Sequence, residues 1–433
     1  MRILKITDQN FKTEFDVLKN RGEIDMQNII PIVTDIIKEV RKDGDEALKR
    51  QIEKFDKWIV KDDLLISQSK MQKAYENINF DLKKALQIAF DRIKFYHEKQ
   101  LEKSWFFCEE NGTILGQKIE PVNRAGLYIP GGKAAYPSSL LMNAVPAIVA
   151  GVKEICVCTP AIKGDLNELL LATLHILGIK EAYKVGGASA IAAMAYGTKT
   201  IKKVDVITGP GNIFVATAKK MVFGDVNIDM IAGPSEIGII ADNFANPRHI
   251  AIDLLSQAEH DEIASSFLIT TDEDFANRVK NEINEILPTL LRFDIAKKSI
   301  QNRGCIIISR NLNEAIDLMN DLAVEHLELA INNAFEFLPK IKNAGAIFLG
   351  TNTPEAMGDY LAGPNHTLPT GGSAKFFSPL SVNNFIKKSS IISISDNAIN
   401  ELGKFCMDLA DAEGLVAHKL SVENRIRNNG NFA

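Results

Sequence analysis

The sequence predicts an α/β protein with two doubly wound parallel-sheet units and a helical segment before them. From about residue 24 to residue 104, apolar residues recur every three or four positions, as they do in amphipathic helices. After residue 124, short apolar runs alternate with helical patterns, which is typical of a parallel sheet covered by helices on both faces. The alternation resumes after residue 242, and this predicts the second unit.

The elements of both units can be assigned in chain order. The first unit opens with the apolar run in "RAGLYIPGG" and continues as helix "SSLLMNAVPAIVAG", strand "EICVCT", helix "DLNELLLATLHILG", strand "AYKVGG", helix "ASAIAAMAYG", strand "VDVITG" and helix "NIFVATAKKMV". The second unit has helix "NPRHIAIDLL", strands "SSFLITT" and "GCIIIS", a helix that carries "AVEHLEL", and strand "GAIFLG".

Length and composition favour a multidomain protein that acts on small molecules. At 433 residues and 47.8 kDa, the chain is larger than one hydrophobic core usually serves. The net charge of −5 gives no broad basic field for nucleic acid or anionic lipid. The stretch "MRILKITDQNFKTEF" lacks the apolar core of a signal peptide, and no later segment reaches membrane-spanning length. We therefore expect a cytoplasmic protein without nucleic-acid or membrane partners.

The five cysteines indicate buried thiols in a reducing compartment. Cys108, Cys305 and Cys406 are isolated in the sequence. Cys156 and Cys158 are two apart on a predicted strand and so face the same side, but no second pair completes a thiolate zinc site. Any metal is therefore expected on His, Asp, Glu and Gln side chains.

The stretch "LLSQAEHDE" carries a candidate metal-binding pair. Helical apolar spacing after Pro247 predicts that Gln257 and His260, three residues apart, share one helix face. An amide oxygen and a neutral imidazole on one face can bind a metal. The same pattern fits a solvated helix end, and the stretch by itself does not decide between the two.

Two glycine-rich loops follow predicted strands. In "VDVITGPGNIFVATAKK", Gly209, Gly211 and Asn212 lie between a strand and a helix, where backbone N–H groups can meet a phosphate. The dinucleotide fingerprint is incomplete because Phe214 replaces its third glycine, so a tight turn fits at least as well. The second loop, "LYIPGGKAAYPSS", includes Tyr128, whose ring could offer a flat face to a base or ribose.

Four of the seven histidines lie in polar, acid-bordered or glycine-bordered settings. They are His260, His326, His366 and His418. A lone histidine more often has a structural role, so it is the combination that points to a site. The other three, His97, His175 and His249, read as ordinary helix or surface residues.

Several long motifs lie between about residue 24 and the C-terminus: "GLYIPGG", "YPSSLLMNAVPA", "TGPGN", "DMIAGPSE", "SQAEHD", "EHLEL", "GDYLAGPNHTLPT" and "EGLVAH". Together they resemble the motifs of the histidinol dehydrogenase family. The resemblance implies oxidation of L-histidinol through L-histidinaldehyde to L-histidine with two NAD⁺, the last step of histidine biosynthesis. It also implies one Zn²⁺ per subunit, bound by Gln257, His260, Asp359 and His418.

The resemblance implies roles for the other site residues as well. His326 would be the base in both oxidations, since an imidazole with a pKa near neutrality suits proton removal. Glu325 would activate the water that adds to the aldehyde. NAD⁺ would contact Tyr128, Ser189 and Asn212. The substrate would contact Ser235, Gln257, His260, Glu325, His326, Asp359, His366, Glu413 and His418.

Two positions depart from the family pattern. Ser189, in "VGGASA", stands where the family usually has a glutamine that contacts the cofactor, so that contact is shortened or replaced. Val324 stands where proline usually precedes the catalytic pair, which should alter only local backbone stiffness.

The resemblance further implies Rossmann-like domains and a homodimer. We expect an N-terminal arm at residues 1–20 and a first α/β domain, made of 21–127 and 236–380, that carries the zinc and catalytic residues. An inserted α/β domain at 128–235 would lie on the NAD side. The helical tail at 381–433 would dock on the partner subunit and complete its active site with Glu413 and His418.

Two other functions fit parts of the pattern. A zinc hydrolase would use a metal site with a neighbouring glutamate, but it leaves the glycine loops unexplained. A nucleotide-binding regulatory protein would use those loops, but it has no need of a metal site and an adjacent Glu–His pair.

Overall fold

The structure, a computed structural model, describes residues 1–22, 27–61, 63–131 and 136–426. Residues 132–135 of the loop "LYIPGGKAAYPSS" and residues 427–433 of the predicted tail lie outside the described residues. The chain divides into two compact units, one of Met1–Gln100 and Val122–Phe385, the other of Leu101–Pro121 and Ile386–Ala433.

The strands in chain order are β1 (Arg2–Lys5), β2 (Trp105–Cys108), β3 (Ile114–Pro121), β4 (Arg124–Tyr128), β5 (Glu154–Thr159), β6 (Glu181–Lys184), β7 (Val206–Thr208), β8 (Asn227–Ile228), β9 (Glu236–Ala241), β10 (Ser265–Thr270), β11 (Gly304–Ile308), β12 (His326–Ala330), β13 (Ala346–Leu349) and β14 (Ile386–Ser393). The α-helices are α1 (Phe11–Lys19), α2 (Ile30–Asp43), α3 (Asp45–Asp56), α4 (Gln68–Asn77), α5 (Phe80–Glu98), α6 (Pro137–Ala150), α7 (Glu168–Ile176), α8 (Gly187–Tyr196), α9 (Ile213–Val222), α10 (Pro247–Ala258), α11 (Glu273–Ile286), α12 (Phe293–Arg303), α13 (Leu312–Leu322), α14 (Ala334–Phe337), α15 (Glu355–Tyr360), α16 (Asp396–Ala412) and α17 (Val416–Glu423).

The larger unit contains two parallel sheets, as the alternating pattern predicted. The first has six strands in the order β1-β11-β10-β9-β12-β13. Neighbouring residues of its strands face opposite sides: Ile240 packs with α1 and α13, whereas Ile239 packs with α10, α11 and α12. The sheet is therefore covered by helices on both faces, and the doubly wound prediction is confirmed.

The second parallel sheet has five strands in the order β6-β5-β4-β7-β8. Helices α8 and α9 cover it, and α2 packs in turn on both of these helices. Cys156 and Cys158 are buried in the same core on one face of β5, as their spacing predicted, and Cys305 is buried as well. The prediction of buried thiols is wrong for Cys108 and Cys406, which are exposed.

The smaller unit has an antiparallel sheet in the order β14-β3-β2, together with α16 and α17. The two helices pack closely, because an added Cβ at Gly403 of α16 would lie 3.1 Å from a side-chain carbon of Val422 in α17. None of the described helices, in either unit, has the length and apolar character needed to cross a membrane.

The helix predicted for "AVEHLEL" is wrong. Helix α13 ends at Leu322, Ala323 adopts a left-handed conformation with φ 48°, and His326 begins strand β12. The strand, His-Leu-Glu-Leu-Ala, alternates polar and apolar residues over only five positions, and it is buried along its whole length between β9 and β13. In so short a run, periodicity cannot separate a buried strand from a helix.

The domain limits stay a prediction, and the packing bears on them in two places. Residues 2–5, placed in an N-terminal arm, form strand β1, which pairs in parallel with β11 at the edge of the six-stranded sheet. Helix α2, placed in the zinc-side domain, packs on α8 and α9, which cover the five-stranded sheet.

Candidate active site

The predicted catalytic pair lies where two neighbouring parallel strands begin. Glu236 is the first residue of β9 and His326 the first of β12, and these strands pair with His326 opposite Ile237. Glu325 immediately precedes β12. Because parallel strands start at the same edge of a sheet, the peptide of Glu236 comes next to both Glu325 and His326.

The Glu236 peptide makes a hydrogen bond with each member of the pair. Its N–H donates to Oε2 of Glu325 over 2.8 Å, and its carbonyl oxygen lies 3.0 Å from Nδ1 of His326. A carbonyl only accepts, so Nδ1 carries the proton and Nε2 of the neutral ring keeps its lone pair. Among the described residues, Nε2 is buried and has no hydrogen-bond partner.

Two carboxylates from helix α15 lie on the Nε2 side of His326. The Nε2 atom is 3.9 Å from Oε1 of Glu355 and 3.8 Å from Oδ1 of Asp359. Oε2 of Glu355 accepts from the Ser256 hydroxyl over 3.1 Å, whereas its Oε1 is buried without a partner in the described chain. His326, Glu355 and Asp359 form a group whose potential ligand atoms lie within 4.8 Å of one another.

Gln257 and His260 come together, although only the glutamine is helical. Helix α10 ends at Ala258, and the His260 N–H donates to the Gln257 carbonyl in the turn that follows. Nε2 of Gln257 lies 3.4 Å from Nδ1 of His260. Oε1 of Gln257 is buried and lacks a partner among the described residues.

His366 connects to the same group through Asp359. Its Nδ1 is 3.0 Å from the Asp359 carbonyl oxygen and 3.6 Å from Oδ1. On the other side of the ring, Nε2 lies 3.4 Å from the Ser139 hydroxyl. Ser235 directly precedes Glu236, and its carbonyl accepts from the Ser265 N–H.

The acidic groups of the site have pKa values shifted in opposite directions. Burial raises the pKa of Glu325 well above its usual range, and it raises the pKa of Glu355 to about 9, where the Asp359 charge adds to the effect. Burial also acts against ionisation of Asp359, but the hydrogen bond and charge of His366 outweigh it and hold that pKa below its usual range. Burial lowers the pKa of His326, which favours its neutral, basic form.

The donor set fits a divalent cation. Gln257 supplies a buried amide oxygen without a donor, His260 an imidazole, and Asp359 a carboxylate that stays ionised. Oxygen and imidazole ligands of this kind suit Zn²⁺, and a cation would also relieve the crowding of carboxylates.

The predicted NAD⁺ contacts lie at the carboxyl edge of the five-stranded sheet. The Tyr128 hydroxyl accepts from the Gly187 N–H over 3.1 Å, and the Ser189 hydroxyl donates to the Gly186 carbonyl over 2.9 Å. Asn212 caps helix α9 by accepting from the N–H groups of two residues of its first turn. Tyr128 is only 3% exposed, so its ring does not present the open face that the sequence suggested.

The loop "TGPGN" is anchored by a buried ion pair. Asp229 accepts from the Gly209 N–H over 2.8 Å, and Lys219 donates to the Gly209 carbonyl over 2.9 Å. Lys219 and Asp229 also contact each other, with side chains 3% and 0% exposed. Gly209 has φ 118°, a conformation that favours glycine.

Comparison with known protein families identifies the family of the chain. The model of the family described as histidinol dehydrogenase matches residues 19–426. The chain belongs to the histidinol dehydrogenase family. The predicted family is thereby confirmed, and membership makes the chain a dehydrogenase.

Individual relatives agree with the family match. The chain is 62% identical over 421 residues to the histidinol dehydrogenase of Sulfurimonas denitrificans, covering 97% of this chain and 98% of the relative. It is 60% identical over 418 residues to that of Wolinella succinogenes, covering 96% and 97%. The crystal structure of histidinol dehydrogenase from Elizabethkingia anophelis aligns with a TM-score of 0.92 and 37% identity over 98% of both chains.

Two predicted site residues of this histidinol dehydrogenase family member lie in the smaller unit. Glu413 follows the end of α16 and His418 lies in α17. Both side chains are exposed in the single chain.

Sequence reasoning missed Glu355 and the backbone role of Glu236. Glu355 precedes Asp359 by four residues on α15, so helical spacing could have placed both carboxylates on one face. No local pattern signals the role of Glu236, because its peptide, and not its side chain, contacts Glu325 and His326. His97 was read as an ordinary residue, but it is fully buried beside Asn365.

Proposed function

We propose that the chain catalyses the four-electron oxidation of L-histidinol through L-histidinaldehyde to L-histidine, with two NAD⁺ and one Zn²⁺ per subunit. The observation that carries the proposal is the buried Nε2 of His326, which has no hydrogen-bond partner among the described residues and lies beside the carboxyl groups of Glu355 and Asp359. A neutral imidazole whose other nitrogen is fixed as a donor is suited to accept the proton of a bound alcohol. Relatives at 62% and 60% identity bear the name of this activity.

In the first oxidation, Nε2 of His326 takes the hydroxyl proton of L-histidinol while the hydride leaves its carbon for NAD⁺. The resulting aldehyde adds water: Glu325, in its ionised form, accepts a proton from that water, and the carbonyl oxygen takes up the proton that His326 holds. The hydrate then loses its own hydroxyl proton to His326 and a second hydride to a second NAD⁺. One base thus serves both oxidations, provided that it releases its first proton between them.

Gln257, His260 and Asp359 would hold Zn²⁺ together with His418 of the partner subunit. When bound, the metal supplies orientation of the imidazole and amino nitrogens of the substrate. Ser235, His366 and Glu413 would contact the substrate around it. The pairing of His366 with Asp359 supports this, since it places a further imidazole beside a proposed ligand.

Tyr128, Ser189 and Asn212 would contact NAD⁺. Their position at the carboxyl ends of parallel strands supports this, because ligands of open α/β sheets bind in that place. The fixed turn at Gly209 and the first turn of α9 would offer backbone N–H groups to a phosphate.

The test is a stoichiometric assay with L-histidinol and excess NAD⁺. We expect about two NADH for each histidinol consumed, since one site carries out both oxidations in succession. The His326→Asn variant serves as the control for background reduction. A yield near one, with free aldehyde accumulating, would contradict the proposal.

A further inference from the structure

We infer that Arg21 and Glu236 form a positioning pair that holds Glu325 and His326 in their working geometry, an inference that rests on the proposed function. The Arg21 guanidinium donates to Oε2 of Glu236 over 2.7 Å, and the two side chains are 5% and 2% exposed. Neither side chain has a role in the proposed chemistry. The pair lies behind the catalytic residues and acts through the Glu236 peptide.

The Glu236 peptide is the shared support of the catalytic pair. Its N–H fixes the Glu325 carboxylate, and its carbonyl fixes the ring and tautomer of His326. A small rotation of this peptide would therefore move the proposed water activator and the proposed base together. Displacements of about 1 Å can lower a rate about 100-fold.

Arg21 also contacts the segment that precedes Glu325 and strand β12. It donates to the carbonyl of Leu322 over 2.9 Å, at the end of α13 and three residues before Glu325. A further bond goes to the Leu18 carbonyl over 3.0 Å, and the guanidinium lies over the Phe267 ring at 5.1 Å. One buried cation thus connects the start of β9 with the segment that enters β12.

Loss of the arginine would leave the Glu236 carboxylate buried and unpaired. Such a charge is strongly destabilising, so the side chain would move toward water or draw water in. Either change would displace the Glu236 peptide, which supports Glu325 and His326. Lysine would keep the charge, but its compact ammonium lacks the planar fork of donors that arginine has.

Arg124 provides a matched control. Its side chain is 6% exposed and pairs with Glu154 and Glu181, so it is also a buried arginine in an ion pair. Arg124 is the first residue of β4, and Tyr128 is the last, so Arg124 lies at the amino edge of the five-stranded sheet. None of its described hydrogen bonds reaches Glu325 or His326. Its partners are 50% and 29% exposed, against 2% for Glu236, so its removal should lower stability less and should leave the catalytic pair undisturbed.

The experiment compares full-length Arg21→Met, Arg21→Lys and Arg124→Met with wild type. It measures the thermal midpoint of each protein. At a temperature where all four proteins are folded, it also measures kcat, KM for NAD⁺ and bound zinc. For Arg21→Met we expect kcat to fall about 10- to 100-fold, with KM for NAD⁺ and zinc content within about twofold of wild type. Arg21→Lys should recover part of the loss, and Arg124→Met should keep kcat near wild type despite a lowered midpoint.

Unchanged kcat in both Arg21 variants would overturn the inference. An equal loss of kcat in Arg124→Met at a similar midpoint would overturn it too, since the effect would then be general destabilisation. Should Arg21→Met not fold, Arg21→Lys decides, because a lowered kcat in a folded, zinc-loaded protein still requires positioning. Failure of the proposed function is recognised separately, as wild type would then form no NADH from L-histidinol.

Discussion

At the scale of single residues, the hydrogen bond from Nδ1 of His326 to the Glu236 carbonyl decides which atom can act as base. The proton on Nδ1 leaves Nε2 free, and burial lowers the pKa of the ring, so the neutral form is favoured. His326→Asn should therefore lower both oxidations about 100-fold or more, the usual range for losing a general base. Separate assays with L-histidinol and L-histidinaldehyde measure the two steps.

The same assays separate Glu325 from its neighbour. Glu325→Gln keeps an oxygen that can accept the Glu236 N–H, so the backbone contact should survive while the carboxylate is lost. We expect aldehyde oxidation to slow about 100-fold and alcohol oxidation much less. Equal losses in both steps would reject this division of roles.

The proposed metal ligands predict a reversible loss of activity on chelation. Gln257, His260 and Asp359 are oxygen and nitrogen donors, so the metal should exchange more readily than in a cysteine cage. Dialysis against a chelator should remove most of the activity, and one Zn²⁺ per subunit should restore it. Full activity in a sample whose metal content is confirmed as nil would contradict the assignment.

At the scale of secondary structure, the sequence predicted the parallel sheets but not every element within them. The α/β pattern was readable because strands and helices alternate over long stretches and each carries its own apolar period. Strand β12 was not, because the alternation of Leu327 and Leu329 with Glu328 lies in a strand of only five residues. Glu328 is also buried, so the charged residue does not mark a solvent-facing side of the strand.

The site was predictable to the same limited extent. Resemblance to the family placed Glu325, His326 and Asp359, which the structure brings together. Glu355, Glu236 and Arg21 were not found, since their importance depends on contacts between segments far apart in the chain. The contacts of the Glu236 peptide, for example, follow from the register of β9 and β12, and a single sequence does not specify that register.

The buried pair under the loop "TGPGN" predicts a specific effect on cofactor binding. Lys219 and Asp229 hold the carbonyl and the N–H of Gly209, so Lys219→Met should loosen the turn proposed to meet NAD⁺. We expect KM for NAD⁺ to rise about tenfold, the effect of losing one to two kcal/mol of binding, with a smaller change in kcat. Lys220→Met is the matched control, since Lys220 is the next residue on α9 and is exposed.

At the scale of the whole molecule, the smaller unit exposes many apolar side chains. Phe106, Ile392, Phe405 and Leu409 are between 64% and 72% exposed in the single chain. An interface that covered these side chains would remove their apolar surface from water, which supports the proposed docking of the tail on a second copy of the chain. In a two-fold dimer such an exchange is reciprocal, so each active site would be composed of both subunits.

A shared site makes a quantitative prediction for mixed dimers. His326→Asn and His418→Asn homodimers should each be nearly inactive, because every site in either one lacks a proposed functional group. After the two variants are unfolded and refolded together in equal amounts, random pairing makes half of the dimers mixed. In a mixed dimer one site collects both substitutions and the other collects neither, so about a quarter of wild-type activity should return. Refolding each variant alone is the control, and differently tagged subunits show that mixed dimers have formed. If the tail instead served its own chain, every site in the mixture would carry one substitution, so activity indistinguishable from the controls would refute the shared site.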